Sequence, residues 1–426
     1  MNQKSTPSPE SNQDPANARL AARQAPGRAE ASEAAATRNQ SLPTDLAEYI
    51  PEFRWPKDTS RFVFEVAGRD DAEALNDLFE RAFGQRRPLA HFLWKYWENP
   101  AGPPYGVVAR ERDGSRLLAA AFGQRRIARV DGRDVPANLM CEISSDPTAR
   151  AGGIAFKGVM QAIGIGLRDE AGICWSYGGQ SSDEAIKVGS RWLGFRIVLE
   201  LVTWECRLSL RPALEARVGP ALGKLGARLL DPWLRARWRH AARGFFLEEV
   251  EDFGPEFDEL WRRHADRYRL VFRRDAETLR WRWRDCPVGR HRILLARRGG
   301  PSGEPLGWVI WRQWEDSGSP VATVLDLWTG GDEEVIQALL DGARRMAAMD
   351  GAHWLRFAVR PDSPEEHALR ALGHFRPSPH VAVDRVIATP MPGRDRDFDE
   401  DELAVLRVVV DGGNWYYTQG DCDFRD

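Results

Sequence analysis

The chain has 426 residues, of which 42% are hydrophobic and 29% charged, and its formal net charge is −3. This length suggests two or three domains with ordinary packed cores, and the balanced charge argues against a general nucleic-acid-binding protein, including one that binds DNA. No apolar run approaches the roughly 20 residues that a membrane-spanning helix needs. The five cysteines are widely spaced without a CxxC pair, and the eight histidines form no HExxH motif. We therefore expect a cytoplasmic protein without a metal site.

The amino-terminal segment differs in composition from the rest of the chain. Residues 1–48 are rich in Ala, Ser, Pro and charged residues and contain very few large apolar side chains. Such a segment cannot bury enough surface to offset the entropy lost on ordering, so we predict a disordered tail. A first domain is expected over 49–206.

Apolar periodicity and turn residues predict the elements of this first domain. In chain order they are a helix over 74–84, an aromatic segment over 91–97, strands over 105–110, 116–123, 125–130 and 137–145, a helix over about 153–170, and strands over 172–178 and 195–204. The strands 137–145 and 172–178 flank a helix, so they should be parallel with a right-handed crossover. The predicted class is α/β with a mixed sheet.

Residues 207–244 form a second break in composition, which we interpret as a basic helical linker. The stretch 207–243 contains nine Lys or Arg but only two acidic residues, Glu215 and Asp231. Its apolar residues have helical spacing at Leu210, Leu214, Val218, Leu222, Leu225 and Leu229. One interpretation is a helix packed across both domains. The alternative is a peripheral membrane or polyanion contact, since a basic amphipathic helix containing tryptophan can lie at a lipid interface.

The second half repeats landmarks of the first half in the same order. Phe92-Leu-Trp-Lys-Tyr96 returns as Leu279-Arg-Trp-Arg-Trp283, and each copy runs into a strand-like stretch. Farther along, Trp192-Leu-Gly-Phe-Arg196 is echoed by Leu372-Gly-His-Phe-Arg376. The alternative to a duplication is a coincidental aromatic repeat.

The shared order of these landmarks favours two domains of like fold. The second domain is expected over 245–390, followed by a carboxy-terminal extension over 391–426. If the chain is a duplication, Trp94 and Trp281 should occupy equivalent places in the two domains.

The residues that could carry chemistry lie between the two parallel strands, over 143–156. Asp146-Pro147 ends the strand, and Gly152 and Gly153 let the backbone turn before the next helix. The first amides of that helix would point outward, which suits a phosphate group, and Arg150 adds positive charge beside them. Neither GxxxxGKS nor GxGxxG occurs, and the alternative is a turn with a purely structural role.

The loop resembles the signature of a known family. Pro147-Thr-Ala-Arg-Ala-Gly-Gly-Ile-Ala155 resembles the P-x-x-R-G-x-G-[IVL]-[GA] motif of the GNAT superfamily of acyl-CoA-dependent N-acyltransferases. Ser190-Arg-Trp-Leu-Gly-Phe-Arg196 is similar to the Y-E-K-L-G-F segment of that superfamily. The aromatic segment and the closing stretch 414–424 further resemble bacterial tandem-GNAT proteins that are often associated with surface-polysaccharide gene sets.

The resemblance implies two tandem GNAT-like domains, each a mixed, mostly antiparallel sheet flanked by helices. It also implies that the strands on either side of the loop and helix splay apart, with the pantetheine arm of acyl-CoA between them. The residues implied in binding this co-substrate are Ile143, Ser144, Ser145, Arg150, Ala151, Gly152, Gly153, Ile154 and Ala155. The first three would bond pantetheine through backbone groups, and the others would hold the pyrophosphate.

Several departures from the family pattern bear on this assignment. The first loop glycine is Ala151, the tyrosine that often protonates the leaving thiolate corresponds to Ser190, and Gln180-Ser-Ser182 replaces a common Asn. In the second domain the loop position is 325–332, which contains no Arg, and Asp332-Glu-Glu334 stands where a phosphate would sit. Like charges should repel CoA there, so we expect the second domain to be free of the cofactor.

Glu142 and Ser190 are the candidate catalytic residues. A GNAT-type reaction needs a neutral amine, and a positioned carboxylate can remove the proton from the ammonium form. Glu142 lies in the strand just before the loop and could serve as that base. The alternative is that Glu142 forms an ion pair with a nearby Arg.

We therefore expect an N-acyltransferase that moves an acetyl or other acyl group from acyl-CoA to an amine. By resemblance, the favoured acceptor is an amino sugar of a polysaccharide precursor. Two alternatives stay open: a tandem-GNAT ligase that takes an aminoacyl group from tRNA, and a non-catalytic protein that senses acyl-CoA or acts as a scaffold.

Overall fold

The computed structural model describes residues 59–114, 116–149, 152–179, 183, 186–187, 189–190, 194–236, 238, 244–391, 393 and 398–423. The predicted tail 1–48 and the loop residues Arg150 and Ala151 lie outside the described residues. All the elements named below belong to the same unit of the chain, 43–378 together with 383–426.

The first half begins with a strand and two helices and continues with a series of antiparallel strands. Its elements are β1 (Phe62–Val66), α1 (Ala72–Phe83), α2 (Leu89–Trp97), β2 (Tyr105–Glu111), β3 (Leu117–Val130), β4 (Arg133–Ser145), α3 (Gly152–Asp169), β5 (Trp175–Gly178) and β6 (Arg196–Arg207). The aromatic segment, whose type the sequence alone does not assign, is helix α2. Phe92 and Tyr96 lie one turn apart on this helix, and both are fully buried.

One prediction about the strands was wrong. The stretches 116–123 and 125–130 do not form two strands, because Gly123 stays within the ladder opposite Met140 and β3 continues through it. The hairpin between β3 and β4 turns at Asp131-Gly132, where both residues have positive φ (44° and 80°). A two-residue turn of this kind matches the twist of the flanking strands, and Gly adopts the second position without strain.

The second half starts with a helical hairpin and then repeats the architecture of the first. Its elements are α4 (Arg211–Val218), α5 (Pro220–Ala236), β7 (Phe245–Val250), α6 (Pro255–His264), β8 (Leu270–Phe272), α7 (Ala276–Leu279), β9 (His291–Arg298), β10 (Pro305–Asp316), β11 (Ser319–Trp328), α8 (Glu333–Met349), β12 (Trp354–Val359), α9 (Pro364–Leu372), β13 (Arg376–Pro377), β14 (Asp384–Pro390), α10 (Glu400–Val409) and β15 (Trp415–Tyr416). One turn of π-helix, Arg280–Arg284, continues α7.

The main strands form one continuous sheet whose order is symmetric about its centre. It runs β1-β2-β3-β4-β5-β14-β6-β12-β11-β10-β9-β7. Neighbours on this path are antiparallel except β4 with β5 and β11 with β12, which are parallel and separated along the chain by α3 and α8. The two parallel pairs therefore stand at matching positions in the two halves of the sheet.

Two strands cross between the halves at the centre of this sheet. β6 follows the first-half elements in sequence but pairs with β12, while β14 comes late in the chain and pairs with β5. β6 and β14 also pair with each other, so each half is completed by a strand from the other part of the chain. The boundaries 206/207 and 390/391 proposed from the sequence stay predictions.

A reciprocal pair of tryptophans joins the helical segments that precede β2 and β9. The rings of Trp94 and Trp281 stack with centroids 5.4 Å apart. Trp94 Nε1 donates a hydrogen bond to the carbonyl of Trp281 (2.8 Å), and Trp281 Nε1 donates to the carbonyl of Trp94 (3.1 Å). Each tryptophan thus makes the same contact with the other. Reciprocal contacts of this kind are typical of an isologous interface, which here is formed within one chain.

Each half has its own apolar core against one helix. In the first half α3 packs on the sheet through Ala155, Val159, Ile163 and Leu167, and in the second half α8 packs through a similar row. Within the described ranges, every helix is too short or too polar to cross a lipid bilayer. Among those same residues, no three His, Cys, Asp or Glu side chains converge as metal ligands would.

Candidate functional site

A bulge in β4 and the early end of its ladder with β5 open a gap in the first half. β3 pairs Phe122 with Glu142 and Gly123 with Met140, so one extra residue, Cys141, is accommodated in β4. The parallel ladder between β4 and β5 ends at Leu139, although β4 continues to Ser145. We call the space beside β4 beyond this ladder the first gap.

The first gap contains the backbone that was predicted to bind pantetheine. Ile143, Ser144 and Ser145 form the last part of β4 and pair with β3 on one side only. On the other side β5 ends at Gly178, so their backbone groups on that side have no partner strand in the described sheet. Such strand edges can bond an extended ligand as they would a neighbouring strand.

Asp146, the first residue after β4, organises the start of the loop. Its buried carboxylate accepts hydrogen bonds from the amide and hydroxyl of Thr148 (2.9 and 2.7 Å), from Arg81 Nε (2.9 Å) and from Arg116 (2.8 Å). Burial by itself would raise the pKa of Asp146, but these donors outweigh it and hold the pKa at about 2. The sequence indicates Asp146 only as the end of the strand, and the structure gives it a positioning role.

Replacing Asp146 with Asn should lower the free energy of unfolding by about 2 kcal/mol near neutral pH, because that is the stabilisation of the buried carboxylate to which its lowered pKa corresponds. The native pKa lies below the ordinary value of 3.8. The stabilisation is therefore present above that value and is lost as the pH falls through it towards about 2. Urea denaturation of both proteins against pH measures the difference. The exposed Asp70→Asn is the matched control, and an equal effect of the two substitutions would contradict this role.

Helix α3 presents its first turn beside the end of β4. Gly153 and Ile154 are exposed and Ala155 is buried, while Gly152 is the first helical residue. The first four amides of a helix have no partner within the helix, and the dipole makes this end electropositive. A Cβ built on Gly153 would meet no atom of the described residues outside its own helix within 4 Å, so these residues leave space in front of this turn.

Glu142 forms an ion pair at the floor of the bulge. Both of its carboxylate oxygens accept hydrogen bonds from the guanidinium of Arg87, one of them at 2.6 Å, and Lys95 Nζ lies 3.6 Å away. The side chains of Glu142 and Arg87 are only 11% and 10% exposed. This is the arrangement that the second interpretation of Glu142 anticipated, and its role as a base stays a prediction.

Ser190, the other candidate catalytic residue, uses its hydroxyl locally. Its Oγ donates a hydrogen bond to the carbonyl of Phe195 at 2.9 Å. Phe195 directly precedes β6, so this bond ties a turn together. Gln180-Ser-Ser182, noted in the sequence as a departure from the family pattern, lies outside the described residues.

The second half contains the same bulge and the same ion pair. Ile310 pairs with Asp326 and Trp311 with Val324, which leaves Leu325 as the extra residue in β11. Asp326, the counterpart of Glu142, accepts a hydrogen bond from Arg274 Nε at 3.0 Å. The interval of 187 residues that separates Trp94 from Trp281 also separates Arg87 from Arg274. Bulge, carboxylate and arginine therefore recur as one structural unit.

The space beside β11, which we call the second gap, is occupied by the chain itself. The carboxy-terminal segment, residues 412–423, brings Tyr416 against the carbonyl of Leu327 and Thr418 Oγ1 to 3.0 Å from Asp326. A Cβ on Gly420 would lie 3.0 Å from the carbonyl of Leu325, so the backbone approaches β11 closely there. A cavity of about 200 Å³ remains between this segment and the end of β12.

The helix after the second gap is capped by an acidic side chain. Asp332 Oδ1 accepts hydrogen bonds from the amides of Glu334 (3.1 Å) and Val335 (3.2 Å) at the start of α8. These are the amides that a phosphate would use at this position. Asp332, which was expected from the sequence to repel CoA, therefore also occupies the amides to which a phosphate would bind.

The carboxy-terminal segment also contacts the first half, which the sequence did not indicate. Lys95 is buried and forms an ion pair with Asp423, while Arg282, its counterpart in the repeat, donates a hydrogen bond to the carbonyl of Cys422 at 2.6 Å. Tyr177 donates to the carbonyl of Asp421 at 2.9 Å. The sequence feature that could have indicated this contact is the cation at the same place in both aromatic repeats.

Three solved structures with a similar fold are an N-acetyltransferase, a probable N-acyltransferase and an N-myristoyltransferase. A GCN5-related N-acetyltransferase from Anabaena variabilis has a TM-score of 0.54 at 14% identity, over 77% of this chain and 72% of its own. An Enterococcus faecalis protein described as a probable N-acyltransferase has a TM-score of 0.53 at 11% identity, over 78% and 72%. N-myristoyltransferase from Saccharomyces cerevisiae with bound myristoyl-CoA has a TM-score of 0.51 at 12% identity, over 80% and 85%.

At such identities the similarity shows the fold alone. The chain has the fold of GNAT proteins in a two-half arrangement with a large, mostly antiparallel sheet, and the predicted fold class is confirmed. No protein-family model matches the chain, and no curated protein matches its sequence.

Proposed function

We propose that this protein is an N-acyltransferase that binds acyl-CoA in the first gap and transfers the acyl group, most simply acetyl, to an amine. The observation that carries the proposal is the first gap itself, where a bulged strand leaves its neighbour and leads into a helix whose first turn faces open space. The similarity in fold to a protein holding myristoyl-CoA supports the same function.

The groups along the first gap fit the chemistry of CoA. The backbone of 143–145 can bond the amide-containing pantetheine arm as a strand would. The amides of 152–155 at the electropositive end of α3 suit the pyrophosphate, and Arg150 and Ala151 precede them in sequence. CoA would supply the activated thioester, and the backbone groups of the chain would hold this thioester in place.

The bulge in β4 is proposed to assist the chemistry. An acyl transfer develops negative charge on the thioester oxygen, and backbone amides aimed at that oxygen stabilise it without reorganisation. The extra residue Cys141 turns backbone groups out of the regular ladder at this place. In this proposal Glu142 stabilises the fold at the bulge through its bonds to Arg87 and takes no direct part in the chemistry.

The second gap is proposed not to bind CoA. The segment 412–423 lies against β11, and Asp332 occupies the amides of α8. A phosphate would have to displace a tethered carboxylate and approach Glu333 and Glu334. The proposed stoichiometry is one acyl-CoA per chain.

The acceptor amine is proposed from resemblance only. Bacterial tandem-GNAT proteins associated with surface-polysaccharide gene sets favour an amino sugar of a polysaccharide precursor. The reaction requires the amine in its neutral form. Acceptors of different pKa will therefore differ in how strongly their rate rises with pH.

A non-catalytic acyl-CoA sensor is the second candidate, and two observations favour it. The hydroxyl of Ser190 is engaged with Phe195, and the carboxylate of Glu142 is engaged with Arg87. Neither of the residues nominated for proton transfer is therefore directed towards a reacting group by a contact within the described residues.

A thiol-release assay distinguishes the two candidates. The purified chain is incubated with acetyl-CoA and a panel of amines comprising amino sugars, a diamine and a peptide with a free amino terminus. The proposal expects at least one amine to accelerate thiol release well above the rate without an acceptor. Binding of acetyl-CoA without any acceleration would favour the sensor instead.

A further inference from the structure

A row of large apolar side chains is exposed on helix α5. Leu222, Leu225, Leu229 and Trp233 are 63%, 55%, 72% and 56% exposed. Their spacing of three or four residues places them on one face of the helix. At a rise of about 1.5 Å per residue, the row from Leu222 to Trp233 is about 17 Å long. We call it the α5 stripe.

The opposite face of α5 fixes this orientation. Gly223 and Ala227 are the buried residues of the helix. A Cβ on Gly223 would come within 2.5 Å of the backbone of Glu215, so α4 and α5 touch there. Asp231 accepts hydrogen bonds from Ser209 Oγ (2.7 Å) and the amide of Leu210 (2.8 Å), which ties α5 to the start of α4.

A further contact holds the end of α5 to the second half. Arg235 donates a hydrogen bond to the carbonyl of Ala348 at the end of α8, at 3.2 Å. The helix cannot roll to bury its stripe without losing this bond and those of Asp231. The interpretation of 207–244 as a helix packed across both domains therefore does not account for the α5 stripe.

The charges around the α5 stripe are cationic. Arg217, Lys224 and Arg228 are exposed, and no carboxylate of the described residues lies within 4 Å of their charged nitrogens. The two acidic residues of the hairpin are engaged elsewhere, since Glu215 bonds Arg211 at 2.6 Å and Asp231 faces Ser209. No anion of the hairpin thus competes for these three cations.

We propose that the α4–α5 hairpin binds an anionic lipid surface. The α5 stripe would lie among the acyl chains near the interface, and Arg228, which lies to one side of this row on the helix, would reach the lipid phosphates. An amphipathic helix with a basic flank and a tryptophan in its apolar face has the composition of helices that lie in the membrane plane. Charge complementarity favours anionic lipid over a second copy of this chain, because a second hairpin would bring like charges together.

Sedimentation with lipid vesicles tests this proposal on the full chain. Vesicles of phosphatidylcholine with about one third phosphatidylglycerol should retain the protein more strongly than phosphatidylcholine alone, and added salt should weaken the retention. The double variant Leu225→Glu with Leu229→Glu should bind at least about tenfold more weakly, because two carboxylates would enter the interface. Both positions are exposed, so the melting temperature should not change.

The matched control is Val66→Glu with Met349→Glu, two apolar residues that are 54% and 74% exposed outside the hairpin. It should bind vesicles as the unsubstituted protein does. The proposal is overturned if the unsubstituted protein does not sediment with the anionic vesicles, or if the α5 variant and the control lose binding equally. It is also overturned if the protein is a dimer without lipid and the α5 variant a monomer, because a second copy then covers the stripe.

Discussion

Replacing Arg274 with Met is expected to destabilise the protein more than the loss of any other charged side chain in the two gaps. Arg274 is 3% exposed and donates hydrogen bonds to Asp326 (3.0 Å), Asp421 (2.5 Å), Thr418 (3.1 Å) and the carbonyl of Phe272 (2.9 Å). Burial by itself would lower the pKa of Arg274, but Asp326 and Asp421 outweigh it and raise the pKa. The guanidinium therefore stays charged.

Without Arg274, two buried carboxylates lose their shared partner. The free energy of unfolding should fall by about 3–5 kcal/mol, the usual effect of removing one member of a buried ion pair. The carboxy-terminal segment should detach first, because Asp421 and Thr418 belong to it. Urea denaturation, with tryptophan fluorescence as the probe, measures both effects.

Arg269→Met is the matched control for this substitution. Arg269 also bonds a carboxylate twice, at Asp131 (2.9 and 2.8 Å), but its side chain is 58% exposed. Solvent screens such a pair, and its loss should cost at most about 1 kcal/mol. Equal effects of the two substitutions would show that the network around Arg274 does not hold the segment in place.

Replacing Glu142 with Gln is expected to lower stability by about 3 kcal/mol and to leave the turnover of the folded protein nearly unchanged. The carboxylate is bound by Arg87 through both oxygens, so its loss leaves a buried guanidinium without its partner. The catalytic hypothesis expects a different result. If Glu142 removes the proton from the amine, the rate should fall by about 10²-fold or more near neutral pH and recover partly as the pH rises.

The duplication provides the control for this experiment. Asp326→Asn removes the corresponding carboxylate in the half proposed not to bind CoA. If Glu142 only stabilises the fold, both variants should lose stability and neither should lose turnover per folded molecule. If Glu142 is the base, only Glu142→Gln should lose turnover. Melting temperature and rate measured on the same preparation separate the two results.

Local patterns in the sequence predicted the regular elements of the first half well. Strand β4 ends at Ser145, as predicted from Asp146-Pro147, and helix α3 begins at Gly152, as predicted from the two glycines. The repeated aromatic segments indicated the duplication because they form the contact between the halves. Trp94 and Trp281 could be recognised because each is followed by a cation and then by an aromatic residue.

Pairings between distant residues were not predictable in this way. Arg87 is 55 residues from Glu142, and the sequence indicated an arginine partner only as one of two alternatives for Glu142. The pairing of β6 and β14 depends on which strand edges meet in the folded chain. Both strands contain apolar residues, and this character alone does not specify the neighbouring strand. The segment 412–423 carries aromatic residues, which indicate burial but do not specify the surface against which they pack.

The central claim is that acyl-CoA binds once per chain, in the first gap. Gly153 is the position at which to test it, because a side chain there enters open space at the start of α3. Glu at this position would reproduce the acidic helix start of the second half, where Glu333 and Glu334 follow Asp332. Gln provides the same shape without the charge.

Calorimetric titration with acetyl-CoA makes the test. We predict a stoichiometry near one for the unsubstituted chain, retained binding for Gly153→Gln, and a loss of at least about 1.4 kcal/mol in binding free energy, or tenfold in affinity, for Gly153→Glu. Two sites per chain, or unchanged affinity in Gly153→Glu, would contradict the claim.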